Sequence, residues 1–332
     1  MKKRRLKFAS VGTPARLLAL VLMVPVVTAA QTVDEWLDRM ASAVSNLTYR
    51  GTLVYIRADQ VDSMRIYHRV DQSGMRERLV SLNGSPREVL RDNDSVRCIF
   101  PDSQSVVVDT RIAERLFPTI PSNLSELSAD SYRFSLDGED RVAQLEAQVI
   151  RIAATDKYRY GYRLWLEKNT GMLLKTSLID ARGRAIEQML FTDIDIAAVI
   201  PDRELLPDVS SDGYVEVTLP GLKAIPASVG KGTWGVKQLP AGFRAVANRQ
   251  ADTLNHLLFS DGLATISVYV EPVGDRAGHP SGYSQIGAMN IYGATTGAGY
   301  AVTAVGEVPR NTLKMIVSSV VNRRLAAERP AQ

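Results

Sequence analysis

The side chains able to do covalent or metal chemistry are few and scattered. The chain holds three histidines, His68, His256 and His279, and one cysteine, Cys98. His68 and His256 stand inside strand-like alternation, and His279 lies in a Gly-rich polar stretch; no G-x-S-x-G or similar nucleophile signature accompanies them. Histidines of a sheet with satisfied hydrogen bonds are the simpler reading, against a catalytic or metal role. Gly293 to Gly299 is glycine-rich, but it has no Lys-Ser/Thr ending and precedes a strand instead of a helix, so it reads as a hairpin loop and not a phosphate cradle. Gly230-Lys231-Gly232-Thr233 lacks the upstream glycine of a P-loop. Cys98 shares a strand face with Val96 and Phe100, which suits a buried thiol acting as a small hydrophobe; an intermolecular disulfide is the alternative, since one cysteine makes no internal framework. No catalytic residue, metal or cofactor is expected, and the chemistry left to the chain is binding.

Two sets of residues offer it. Arg76, Arg78, Arg87, Arg91 and Arg97 recur on consecutive strand-like segments. They are either solvated edges that charge protects from aggregation, or contacts for phosphates or an acidic partner. Apolar side chains at strand and helix spacing form the second set, taken up below.

The whole chain carries 40 Lys and Arg against 36 Asp and Glu, but six of the basic residues fall in the first thirty positions, which contain no acid. Met1-Lys2-Lys3-Arg4-Arg5-Leu6-Lys7 is basic, Leu17 to Val27 is apolar and too short to span a bilayer, and Thr28-Ala29-Ala30 supplies small residues for cleavage. Residues 1–30 are therefore predicted to be a secretory signal peptide. Without them 34 basic residues face 36 acidic ones, so the high isoelectric point is no argument for nucleic acid. Residues 31–213 hold 23 basic and 29 acidic residues, and residues 214–332 hold 11 and 7, a split that favours docking of the halves or of an acidic partner on the second.

The elements that position these residues are legible as patterns. Thr32 with Glu35 makes a capping box, and Val33, Trp36, Leu37, Met40, Ala41 and Val44 form the apolar stripe of one helix. From Tyr49 to Val108 short alternating segments are separated by Asp71-Gln72-Ser73-Gly74, Asn83-Gly84-Ser85-Pro86 and similar turn sequences. Asp109 to Leu116 is a helical candidate, followed by a loop. Tyr158 to Ile196 reads as three strands around two tight turns, Lys168-Asn169-Thr170-Gly171 and Asp180-Ala181-Arg182-Gly183, a β-meander. So large an antiparallel sheet should curl, and helices over it would enclose an apolar cavity. Pro201 to about Ala227 reads as a linker, in which Tyr214 to Val217 is a lone strand packing back on either domain. From Trp234 the pattern restarts as a smaller antiparallel sheet. Gly274 to Ser284 reads as a loop, and a helix opened by Pro309 carries Leu313, Ile316, Val317, Val320 and Val321.

The run Arg163 to Lys175 (RLWLEKNTGMLLK), Glu187 to Thr192 (EQMLFT), Tyr49 to Tyr55 (YRGTLVY), Asn83-Gly84 with Arg87-Glu88-Val89, Phe259 to Leu263 and Gly306 to Pro309 resemble the RseB/MucB family. These are periplasmic negative regulators of an envelope-stress sigma factor, and their N-terminal domain is similar to the LolA/LolB lipoprotein carriers. The resemblance implies an α+β fold: a half-open antiparallel barrel with covering helices, then a smaller sheet domain with a C-terminal helix. The implied division is a signal peptide at 1–30, a lipid-sensing domain at 31–205, a linker at 206–230, a partner-binding domain at 231–324 and a tail at 325–332. The implied partner is the periplasmic segment of a membrane anti-sigma factor of the RseA/MucA type, shielded from regulated proteolysis and released when acyl chains of lipoprotein or lipopolysaccharide bind. A LolA-type carrier is the alternative, and it lacks the second domain. A homo-oligomer is open. Trp36, Leu37 and Met40 on the helix and Leu164, Leu166, Leu174 and Leu190 on the meander are expected to line the acyl site. Arg76, Arg78, Arg87 and Arg91 are the expected phosphate or partner contacts.

Overall fold

The computed structural model describes residues 31–93, 95–109, 130–218, 233–250, 254–273, 281–296 and 298–323. The expected signal peptide, the helical candidate beyond Asp109, the tail and His279 lie outside these residues, as does 219–230 of the expected linker.

Helix α1 (Val33–Asn46) begins at the capping box: the Thr32 hydroxyl accepts from the Glu35 amide at 3.3 Å, and the Glu35 carboxylate accepts from the Thr32 amide at 2.9 Å. It buries Trp36, Leu37, Met40 and Ala43. Two meanders follow. The first is β1 (Tyr49–Arg57), β2 (Gln60–Asp71), β3 (Gly74–Ser81), β4 (Glu88–Asp92), β5 (Ser95–Phe100) and β6 (Ser105–Asp109). The second is β7 (Tyr132–Val142), β8 (Leu145–Ala154), β9 (Gly161–Glu167), β10 (Leu173–Ile179) and β11 (Ala185–Ile196). Within each, every strand pairs with the next in sequence, and the two are joined by the antiparallel pair β1–β11. A short strand, β12 (Val215–Thr218), adds to β6 in parallel and completes a twelve-stranded sheet. The sheet is open but curled: β7, at one edge, touches β11 four places away in the order.

The second lobe starts with β13 (Trp234–Val236). Its six-stranded antiparallel sheet comprises β14 (Arg244–Gln250), β15 (Asn255–Ser260), β16 (Thr265–Pro272), β17 (Gly282–Ile286), β18 (Met289–Thr295) and β19 (Tyr300–Gly306), in the order β14-β15-β16-β19-β18-β17. Helix α2 (Arg310–Ser318) packs on β18 and β19 and buries Thr312, Leu313, Ile316 and Val317. Two sequence expectations are corrected here. The end of the stretch read as a loop, from Gly282, is strand β17. The last helix stops at Ser318, so Val320 and Val321 leave its stripe and form β20 (Val320–Asn322), paired with β13. The Ser319 hydroxyl, bonded to the Ile316 and Gln238 carbonyls, closes the helix, and β-branched valines suit the strand that follows. No helix among the described residues is long and apolar enough to cross a membrane.

Candidate functional site

The two faces of the large sheet are covered differently. On the inner face Leu53, Ile66, Leu79, Ile150, Leu164, Leu166 and Phe191 form one core with Trp36, Leu37 and Met40 of α1. The helix is also fastened to the β9–β10 turn: Arg39 donates to the carbonyls of Lys168 at 2.9 Å and Asn169 at 2.6 Å. Gly171 has φ +78°, and a Cβ there would stand 2.8 Å from the Arg39 Cβ, so only glycine lets the helix come this close. The turn is built on Glu167, whose carboxylate accepts from the amides of Asn169 and Thr170, the Asn169 side chain and the Thr170 hydroxyl. Burial pushes that carboxyl up, but the hydrogen bonds from Thr170 and Asn169 outweigh it and hold it below the ordinary value.

On the outer face the chain after β11 runs as a strap across β1 to β4 before joining the sheet as β12. Ala198, Ile200 and Leu205 pack there with Tyr67. Guanidinium–carboxylate pairs fasten it as well: Arg69–Asp202 at 2.5 Å, Arg78–Asp208 at 2.5 Å and Arg50–Glu204 at 3.6 Å. Arg78 also donates to Glu88 at 2.9 Å, both side chains being 4% exposed, and Glu88 accepts from the Asp208 amide.

The lobes meet through buried polar groups. Arg159 donates to Asp261 at 2.6 Å with both side chains fully buried, and its other nitrogens reach Asp156 and the Ala241 carbonyl. The Tyr132 hydroxyl donates to the same Asp261 carboxylate at 3.1 Å, while Asp261 accepts from the amides of Leu263 and Ala264 in its own hairpin. A second contact centres on Glu187 of β11, which accepts from the Ala288 amide at 2.5 Å and from the Tyr55 hydroxyl. Ala288 and Leu263 belong to the first lobe's apolar core, so the core continues across the junction. Burial, together with the Glu187 carboxylate, raises the Glu307 carboxyl above its ordinary value.

The expected acyl-site residues therefore separate. Trp36, Leu37, Met40, Leu164, Leu166 and Leu174 are buried in one core. Leu190 is half-buried outside it, because its strand neighbours Met189 and Phe191 take the inner face and it pairs with Lys175 and Val54. The arginines separate too. Arg76 and Arg78 point to the strap, Arg91 alternates to the other face opposite Glu77, and Arg87 is exposed before β4. His68 is buried against the Leu47 carbonyl at 2.9 Å and stacks on Tyr49; His256 stacks on Tyr269. Cys98 is half-buried. Among the described residues no three His, Cys, Asp or Glu side chains gather as metal ligands would. The strap and the Arg159–Asp261 junction were missed from sequence. The strap's one signal was a set of acids, Asp202, Glu204 and Asp208, inside an otherwise linker-like composition; the junction had none.

Comparison with known proteins covers both lobes. The MucB/RseB N-terminal domain matches residues 32–209 and the MucB/RseB C-terminal domain matches residues 228–321. The Sigma factor AlgU regulatory protein MucB of Pseudomonas aeruginosa is 32% identical over 315 residues, 92% of this chain and 95% of that protein. The Sigma-E factor regulatory protein RseB of Haemophilus influenzae is 29% identical over 329 residues, 96% of this chain and 99% of that one. Among solved structures, the Pseudomonas aeruginosa MucA/MucB complex aligns with a TM-score of 0.67 at 28% identity, covering 87% of this chain and 98% of that chain. MucB in complex with MucA(peri) aligns with a TM-score of 0.67 at 29% identity over 88% and 99%.

Proposed function

The chain belongs to the MucB/RseB family, and on that premise we propose that it is a periplasmic regulator that binds the periplasmic segment of a membrane anti-sigma factor and shields it from regulated proteolysis. One observation carries the reading. The alignment with MucB from its complexes with MucA runs through both lobes, covering 98% and 99% of those chains. A carrier of the LolA type has no second lobe to align. The relatives are named regulatory proteins, which accords with a role in binding and not in catalysis.

The acyl-ligand part of the reading rests on the inner face. Leu164 and Leu166 are fully buried under α1, so an acyl chain would have to lift the helix and take the place of Trp36, Leu37 and Met40. Each methylene removed from water contributes about 0.8 kcal/mol. A few of them match the roughly 1–3 kcal/mol typical of coupling between sites. Release follows only if the lifted form binds the partner less well; equal affinity would shift nothing.

The test is protease protection of the anti-sigma segment, titrated with short-chain lipopolysaccharide, for wild type and for Leu166→Gln once circular dichroism shows the variant folded. Protection by wild type, lost on adding lipid and retained in Leu166→Gln, is the expected result. No protection by wild type refutes the regulator, and lipid-independent protection refutes the sensor. The division into lobes is tested separately by limited proteolysis. The strap is held as far as Thr218, so the first cut is expected C-terminal to it, and a first cut within β9 to β11 would overturn the division.

A further inference from the structure

The strap leaves an open cavity of about 350 Å³ between itself and the outer face of β3 to β5. Its floor is apolar, made by Leu90 of the sheet with Leu205, Leu206 and Pro207 of the strap, and Leu206 is 61% exposed. Its rim is cationic. Arg97 stands opposite Leu90, exposed and without a carboxylate partner among the described residues. Arg76 reaches Asp71 and Asp202 only at 3.5 Å, and its buried Nε has no hydrogen-bond acceptor. Asp92 and Asp202 also border the cavity, but Asp202 is already held by Arg69 at 2.5 Å. Arg97 is solvated and Arg76 is held by its carboxylates only at 3.5 Å, so the rim can take a further carboxylate beside exposed leucine. Guanidinium favours a planar, bidentate carboxylate, and the leucine floor favours an apolar side chain next to it.

We propose that this cavity is a docking site for an acidic peptide segment of the anti-sigma partner, with a carboxylate on Arg97 and a neighbouring apolar side chain on Leu90 and Leu206. It rests on the regulator reading above, and adds a contact on the first lobe. It also assigns the role to Arg97 with Arg76, leaving Arg78 to hold the strap.

Binding of the periplasmic anti-sigma segment is measured by calorimetry at several salt concentrations for wild type, Arg97→Glu, Leu206→Asp and Arg182→Glu. Arg97 and Leu206 are exposed, so their variants should fold. Arg182 is exposed and does not line the cavity, and its variant serves as the control. The expected result is at least tenfold weaker binding for Arg97→Glu and Leu206→Asp, a shallower salt dependence for Arg97→Glu, and no change for Arg182→Glu. Tight binding by wild type with Arg97→Glu unaffected overturns the site while the regulator reading stands. If wild type does not bind the segment, the regulator reading fails instead. The cavity is then decided by titrating an acetylated, amidated Glu-Leu-Glu-Leu peptide into wild type and Arg97→Glu: binding lost in the variant supports the site, and no binding to wild type overturns it. Dihexanoyl phosphatidic acid is the last arm. If it binds wild type through Arg97 and the peptide does not, the cavity is a phosphate site and the peptide proposal is wrong.

Discussion

The inner face of the large sheet is covered by a helix held through apolar burial, and the outer face by a strap tied down by ion pairs beside three apolar residues. Trp36, Leu37 and Met40 are each at most 6% exposed, whereas the strap's Asp202 and Asp208 are 76% and 75% exposed while pairing with Arg69 and Arg78. The difference teaches what each cover responds to. Apolar burial is not screened by salt, since it involves no charge, and it yields to another apolar ligand. Exposed partners of ion pairs are screened over about 8 Å at physiological ionic strength. The same sheet thus has one cover resting on apolar contacts and one whose charged contacts salt can weaken.

The largest effect that tests this contrast is expected from Arg78→Ala. Glu88 would keep its burial and lose its cation, which typically costs about 3–5 kcal/mol. Urea unfolding should report that loss, and hydrogen exchange should quicken at 202–208. A loss of only about 1 kcal/mol, the scale of a surface pair, would mean that the strap is held mainly by its three apolar residues. Next comes Leu37→Ala, which empties a fully packed site under the helix and should cost about 2–5 kcal/mol with little dependence on salt. A strong salt dependence there would erase the distinction between the covers. Thr32→Ala removes half of the capping box and should cost about 1 kcal/mol, read as faster exchange in the first turn of α1 and none in the strap.

Two carboxyls of opposite sign refine the comparison by pH. Glu167 is held below its ordinary value, so its contribution is full above the unfolded pKa of 4.5 and is lost as pH falls through its lower folded value. Acid should therefore loosen the turn that carries α1, and Glu167→Gln should remove that part of the acid sensitivity. Glu307 is raised, so its contribution is full below 4.5 and is lost as pH rises through its higher folded value. Glu307→Gln should then raise the melting temperature more at pH 7.5 than at pH 4.5. An equal rise at both would show that the half-buried charge at the lobe junction costs nothing.

What could be read from sequence was what is local. The meander shows itself because Tyr162, Leu164 and Leu166 alternate and Asn169 to Gly171 makes a turn; α1 shows itself because Thr32 and Glu35 mark its start. Leu190 could not be placed. Alternation defines two faces without saying which is inner, and the register shift between Leu173 and Lys175 breaks the count across β10. The strap escaped for a different reason. Pro201 to Ser211 has the composition of a linker, and its order comes from arginines over a hundred residues earlier, as in the bond from Arg69 to Asp202. Arg159 and Asp261, 102 residues apart, are the same case. Long-range charge pairing leaves no periodic trace.

The seam between β1 and β11 sets the order in which this chain can fold. Each meander on either side consists of neighbouring hairpins, which form on the scale of microseconds. The seam instead joins Tyr49 to Ile196, and loop closure over that span must precede any reward from pairing. The strap leaves β11 directly after the seam and reaches back over β1 and β2 through Arg50 and Arg69. It can lock only after the slow step is complete. An intermediate with both meanders formed and the strap free would expose β1 and β11 as unpaired edges, and that species is the one a newly made chain has to pass through quickly.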